Sequence, residues 1–302
     1  MYEERDGGRY RYVYSRWRWD DFVEYVEDAE ATGEFAKGQR QSRVFGREHW
    51  TGTLDFDEAI ELAKNGWPKG RELFADMAGQ AALQMKEQRA SISFDVAGSY
   101  PSIPRYLSGE LENMVTSNPE LQSVRKIIKI IVGLSVSHSN EDFVIKNRGA
   151  AIAGLIDAVE DAGNSVELAV FHHCEAGGDP TPIRTYTEIE VKKAGEPLDL
   201  DLLAFAITHP AVLRRLIFAQ TEHLGSAFDD EFGRVFKRGN YGVPKLGRQP
   251  YFVEVGSVDG FLLFDGLAGR SNLFDTLPEA SANILRAWET AMTEVEEERY
   301  AA

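Results

Sequence analysis

Two stretches of this chain combine residues that pair with anions and residues that stack on planar rings. The first is Arg9-Tyr10-Arg11-Tyr12-Val13-Tyr14-Ser15-Arg16-Trp17-Arg18-Trp19, with four arginines and no acid. The second is GRVFKRGNYGVPKLGR (233–248), with five positive charges, no acid, four glycines and a proline. Basic side chains pair with phosphate oxygens, and aromatic faces accept unpaired bases at roughly 1–3 kcal/mol per base. Arg234, Lys237, Arg238, Lys245 and Arg248 are the candidate phosphate contacts of the second stretch, and Arg9, Arg11, Arg16 and Arg18 those of the first. Tyr241, Tyr12, Trp17 and Trp19 are the candidate stacking residues. Within residues 9–12 and again within 16–19, strand alternation puts arginines on one face and aromatics on the other. That pattern fits equally an edge strand that packs its aromatics on the core. The second stretch reads as a loop, able to bring backbone N–H groups close to a sugar-phosphate backbone or to serve as plain surface.

Other residue types invite catalysis or metal binding. His172, His173 and Cys174 are adjacent on an expected strand, so His172 and Cys174 share a face. They offer a ligand pair or a nucleophile with its base, but no second cysteine or spaced histidine accompanies them. Asp95 with Ser99, and Asp265-Gly266, read more simply as turns after strands. The chain contains no Walker-type glycine loop, no Gly-x-Ser-x-Gly elbow and no His-Glu-x-x-His. The expectation is a protein that is not an enzyme, with no cofactor and no metal. A hydrolase using His172, His173 or Asp95 requires those groups to converge in a pocket.

The elements that must position these residues are legible in part. An acidic amphipathic helix is expected after Trp19, because residues 20–34 hold seven acids and no base. Asp55 and Glu58 have capping-box spacing, and Asn65-Gly66 ends a helix before Pro68. A second helix is expected at 69–88, a buried strand at 90–98, and a loop at 99–109, where Pro101 and Pro104 oppose regular structure. KIIKIIVGLSVS (126–137), NRGAAIAGLIDAVEDAG (147–163) and SVELAVFHHC (165–174) read as strand, helix and strand, a βαβ unit with parallel strands. TYTEIEVKK (185–193) alternates like an edge strand, and helices are expected at 200–208, 211–223 and 278–299. YFVEVGSVDGFLLFDG (251–266) reads as a strand pair. The expected fold is α/β, a mostly parallel central sheet flanked by helices, with residues 1–89 as an arm and helical region packed on a core of 90–302.

Composition is that of an ordinary globular chain: 302 residues, 43% apolar, 27% charged. One cysteine, Cys174, excludes an internal disulfide and suits a reducing compartment. No apolar run approaches the roughly 18–20 residues that span a bilayer, and MYEERDGGRYRYVYS lacks a signal-peptide pattern. A cytoplasmic location is expected, with no membrane partner. The charge balance, 33 basic against 49 acidic residues, is −16, so any anion binding has to be local.

Residues 126–266 resemble a von Willebrand factor A-type domain. The likeness rests on SVSHS at the end of a buried strand, the helix RGAAIAGLIDAVEDAG, the strand VELAVF, and a late strand ending in FLLFDG. In that family the first strand ends in Asp-x-Ser-x-Ser and its oxygens hold a divalent cation. Here Ser135-x-Ser137-x-Ser139 has serine where the aspartate would be, which removes the strongest hard ligand. LDFDEAIELAKNGWPKG (54–70), FDVAGSYPSIPRYLSGELENM (94–114) and ITHPAVLRRLIFA (207–219) also resemble segments of a tailed-phage protein family. Single-stranded-DNA-binding transcription accessory proteins of short-tailed phages are candidate relatives. The resemblance implies a sequence-nonspecific single-stranded-DNA-binding protein in the host cell cytoplasm. It would assist phage transcription or replication beside an RNA polymerase or replication protein, as a monomer or homo-oligomer. The competing expectation is a metal-free, von Willebrand A-like adaptor that binds protein through the acidic helix at 20–34 and does not bind nucleic acid.

Overall fold

The computed structural model describes residues 2–6, 11–32, 42–44, 48–89, 93–97, 100–116, 126–137, 139–176, 183–227, 258–267 and 272–301. It is an α/β protein with a six-stranded, mostly parallel sheet. Its strands are β1 (Tyr2–Asp6), β2 (Arg11–Arg18), β6 (Ile127–Gly133), β7 (Ser165–Ala176), β8 (Ile183–Lys192) and β9 (Gly260–Phe264), in the spatial order β1-β2-β8-β7-β6-β9. Three neighbouring pairs, β2–β8, β7–β6 and β6–β9, are parallel; β1–β2 and β8–β7 are antiparallel. A separate small sheet holds β3 (Ser93–Asp95), β4 (Tyr100–Pro101) and β5 (Met114–Thr116) in the order β3-β5-β4.

Alternation along β6 decides which face meets the helices. Ile128, Ile130 and Val132 enter the main core, whereas Ile131 joins Ala169 and Phe171 in a small cluster on the opposite face. Both Ile130 and Ile131 are fully buried, as the continuous β-branched run predicts. Against the main core pack α1 (Trp19–Thr32), α3 (Phe56–Asn65), α4 (Pro68–Arg89), α6 (Asp142–Asp161), α7 (Leu200–Thr208), α8 (Phe218–Ala227) and α9 (Leu277–Ala301). Short helices α2 (Glu48–Thr51) and α5 (Ile103–Leu107) complete the described set.

Helix α6 lies close to α4 because its buried side is built of small residues. A Cβ on Gly154 would come within 2.7 Å of both Ala81 Cβ and Ala82 N. Asp55 caps α3 by accepting from Glu58 N at 2.9 Å, and Gly66 ends that helix at φ 78°. Before α8 the chain makes a π-helical turn, Val212–Ile217. There Arg215, fully buried, donates to the carbonyls of Ser42, Val44, Thr53 and Leu54 and to the hydroxyls of Thr51 and Thr53. One guanidinium thus satisfies backbone groups in irregular chain that lacks a ladder of its own.

Several expectations need correction. The segment 185–193 is not an edge strand: β8 lies between β7 and β2, because β2 pairs with it in parallel over eight residues. Within the segment 90–98, expected as a buried strand, β3 covers Ser93–Asp95 and Val96 after it is exposed, while residues 90–92 and 98 lie outside the described residues. The loop at 99–109 contains β4 and α5; Pro104 sits in the first turn of α5, where a missing N–H costs nothing. Helix α6 begins five residues earlier than the sequence pattern suggests. Of the strand pair at 251–266, residues 251–257 lie outside the described residues, and β9 pairs in parallel with β6.

Candidate functional site

Strand β2 divides the first basic stretch between two faces. Val13, Ser15 and Trp17 face the helices, while Tyr14, Arg16 and Arg18 face the opposite side. Trp17 packs on Tyr25 with ring centroids 4.6 Å apart. Trp19, 4% exposed, opens α1 and donates its Nε1–H to Ala63 O at 2.8 Å. Its ring meets Phe205 edge-on at 6.2 Å. Trp19 is therefore a core residue, and Trp17 is half-buried with its ring against Tyr25 of α1. The side chains of Arg16 and Arg18 are 49% and 58% exposed, lying 3.9 and 4.0 Å from Glu188 and Glu190 of β8. Lys129 reaches Glu188 from the other side at 2.7 Å. Arg11 and Tyr12 belong to β2 by backbone pairing. Arg9 and the whole second stretch, with Arg234, Lys237, Arg238, Tyr241, Lys245 and Arg248, lie outside the described residues.

The catalytic candidates do not converge. His172 is buried on the helix side of β7, in register with Thr187 and hence with Ser15. Ser15, Thr187 and Gln220 close a hydrogen-bonded triangle with sides of 2.9, 3.1 and 3.2 Å. That triangle ties β2 to β8 beneath α8. His173 is buried on the opposite face and stacks on Tyr186 at 4.5 Å, which stacks on Tyr14 at 5.3 Å. Asp95 belongs to the separate small sheet. A cleft of about 230 Å³ opens beside the starts of α1 and α7, lined in part by Arg18, Asp20, Glu190, Lys192 and Asp199. None of the catalytic candidates lines it. Its Lys192 donates to Glu160 at 2.6 Å and to Val166 O at 3.0 Å.

The carboxyl ends of β6 and β9 hold a different constellation, which the sequence pattern left inside a helix. Arg148 rises from α6 and donates to Gly133 O at 3.2 Å, Phe264 O at 3.0 Å and Asp265 O at 2.7 Å. It is 5% exposed. Burial lowers its pKa to about 10, with Asp265 pulling the other way, so it remains charged at neutral pH. Ser137 and Ser139 share a hydrogen bond at 3.0 Å, and Asp265 Oδ1 accepts from Gly266 N at 2.8 Å. These residues do not fit a divalent cation, because a guanidinium already takes the strand-end carbonyls and the hydroxyls bond to each other. No group of three or more His, Cys, Asp or Glu suited to a metal occurs among the described residues.

The small sheet and α5 carry a feature that the sequence pattern did not announce. Val96, Ile103, Tyr106, Leu107 and Leu111 are 60–84% exposed. On α5 the apolar residues fall at i, i+3 and i+4, one helical face. Arg105 pairs with Glu110, and Glu112 is exposed beside them. The signal was present as apolar residues at helical spacing within a segment whose prolines suggested a loop.

A family model described as "Domain of unknown function (DUF7192)" matches residues 4–257. The chain belongs to this family. The DUF7192 match begins within β1, takes in β2 through β8 and the small sheet, and stops short of β9. No curated protein and no solved structure matches the chain. Among the described residues of this DUF7192 chain, no single helix is long and apolar enough to cross a membrane.

Proposed function

We propose that this chain is a non-enzymatic interaction adaptor, built on a von Willebrand A-like scaffold, that docks a protein partner through the small sheet and α5. The observation that carries the reading is the exposed apolar face of α5, Ile103, Tyr106 and Leu107, with exposed Leu111 shortly after it. Large apolar side chains clustered on a surface mark interaction sites, and burying each contributes about 1.5–3 kcal/mol. Glu110 and Glu112 flank the group, and the chain as a whole carries −16. The partner that fits is a protein with an apolar groove rimmed by lysine or arginine. On this reading the contact surface is α5 rather than the acidic helix α1.

The test is quantitative affinity capture with tagged wild-type protein and a Leu107→Glu/Leu111→Glu variant, followed by binding measurements on the purified captured protein. A basic-rimmed partner that loses at least tenfold affinity for the double variant supports the reading. Equal affinity for both proteins would overturn it.

A second reading, single-stranded DNA binding, retains one favourable observation: Arg16 and Arg18 are exposed two residues apart on one face of β2. Glu188 and Glu190 on the same face oppose phosphate. Fluorescence anisotropy of labelled single- and double-stranded 30-mers at several salt concentrations tests it. Salt-sensitive preference for the single strand, weakened by Arg16→Gln/Arg18→Gln or by neutralising Lys237, Arg238 and Lys245, would favour this reading. Absence of binding at low salt excludes it.

A further inference from the structure

In open α/β sheets, ligands settle outside the carboxyl ends of parallel strands, where connections leave in opposite directions. The place in this fold is β6. From β6 the chain crosses through α6 to β7 on one side, while β9, on the other side, arrives from more than a hundred residues later. The crevice between β6 and β9 is narrow. A Cβ on Gly133 would lie 2.5 Å from Gly266 N and 2.9 Å from the carbonyl carbon of Asp265. Beyond the strand ends the two segments stay joined, with Leu267 N donating to Ser135 O at 2.9 Å and Ser137 N to Leu267 O at 2.7 Å. Beneath this join the carbonyls of Gly133, Phe264 and Asp265 are all taken by Arg148.

Three carbonyl oxygens around one cation resemble the oxygen set of a hard metal, yet the donors here are the N–H groups of a planar fork. Arginine suits such a place because it is weakly hydrated and keeps its charge when buried. We infer that the β6–β9 crevice is a built-in guanidinium site, filled by Arg148, and that it takes a planar guanidinium cation in place of a divalent metal. The crevice is thereby closed to metal-dependent ligand binding, and any contact made by Ser137 or Ser139 is independent of magnesium, calcium and manganese.

Chemical rescue tests this. Arg148→Ala removes the cation and leaves three strand-end carbonyls without a partner, so the melting temperature should fall by roughly 5–15 °C. Millimolar guanidinium or methylguanidinium should restore part of that loss in the variant and none in the wild type. Sodium, magnesium and manganese at matched ionic strength should restore nothing. Failure of guanidinium to raise the melting temperature of the variant would overturn the assignment, as would a variant as stable as wild type. Should Arg148→Ala not fold, the wild type decides the matter through manganese titration followed by electron paramagnetic resonance. Stoichiometric manganese binding that disappears in Ser135→Ala would overturn the inference, and no binding would sustain it.

Discussion

His209 is buried between Trp67 and Phe205, with ring centroids 4.7 and 5.0 Å away, and its Nδ1 accepts from Ala211 N at 3.2 Å. An imidazole held this way resists protonation. Burial lowers its pKa to about 4 from an ordinary 6.5, against a smaller opposing pull from Asp142. Between those two values the unfolded chain binds a proton at this position and the folded chain does not. Stability is therefore fully present above pH 6.5 and is lost as the pH falls toward 4, by about 3 kcal/mol in total from this group. Thermal melts across that window should show the loss, and His209→Asn, whose side chain can still accept from the N–H two residues on, should flatten it. At this scale the sequence was unevenly legible for a physical reason. Alternation from Arg16 to Trp19 correctly implied two faces, but only packing decided that the tryptophans go inside. Arg148, in a run of small helical residues, offered no cue that its guanidinium would reach the ends of two strands.

At the scale of elements, the contact of α4 with α6 makes opposite predictions for two glycines. Gly79 on α4 has open space where a methyl group would stand, with nothing within 4 Å. Gly79→Ala should stabilise the protein by about 0.5–1 kcal/mol through helix propensity alone. Gly154→Ala carries the same propensity gain, but its methyl would collide with Ala81 and the backbone of α4, so the net effect should be a loss of about 1–3 kcal/mol. Denaturant midpoints of the two variants check both signs. Elements with strong local patterns were legible: α7 occupies the expected residues 200–208, and β6, α6 and β7 form the expected βαβ unit. The segment 99–109 reads as a loop because a proline within a helix breaks it, whereas Pro104 stands in a first turn, where proline begins a helix well. The edge expectation for β8 failed because alternation reports one buried face and says nothing about how many neighbours a strand has.

At the scale of the molecule, charge and apolar exposure point the same way. A chain of net charge −16 repels other acidic surfaces, and its exposed apolar group on α5 lies beside glutamates. Association with a basic-rimmed partner should weaken as salt rises, by less than the loss caused by Leu107→Glu/Leu111→Glu, since the apolar contact is insensitive to screening. Binding isotherms at low and high salt separate the two contributions. The sheet as a whole was only half legible. The β6–β7 pair follows from the local βαβ pattern, whereas β9 beside β6 and β2 beside β8 are long-range pairings that no local pattern announces.

That distant pairing has a consequence for how the protein is made. Ser15 and Thr187, joined across β2 and β8, are 172 residues apart in the chain. At a ribosomal pace of about 5–20 residues per second, the hairpin of β1 and β2 waits on the order of 10–30 s for the strand that will receive it. During that interval it is an orphan edge, and Arg16 and Arg18 on its outer side are the charges that discourage it from pairing with a neighbouring nascent chain. Strands made long before β8 are thus among the last to be seated, and the arginines that resemble a binding motif would guard their open edge in the meantime.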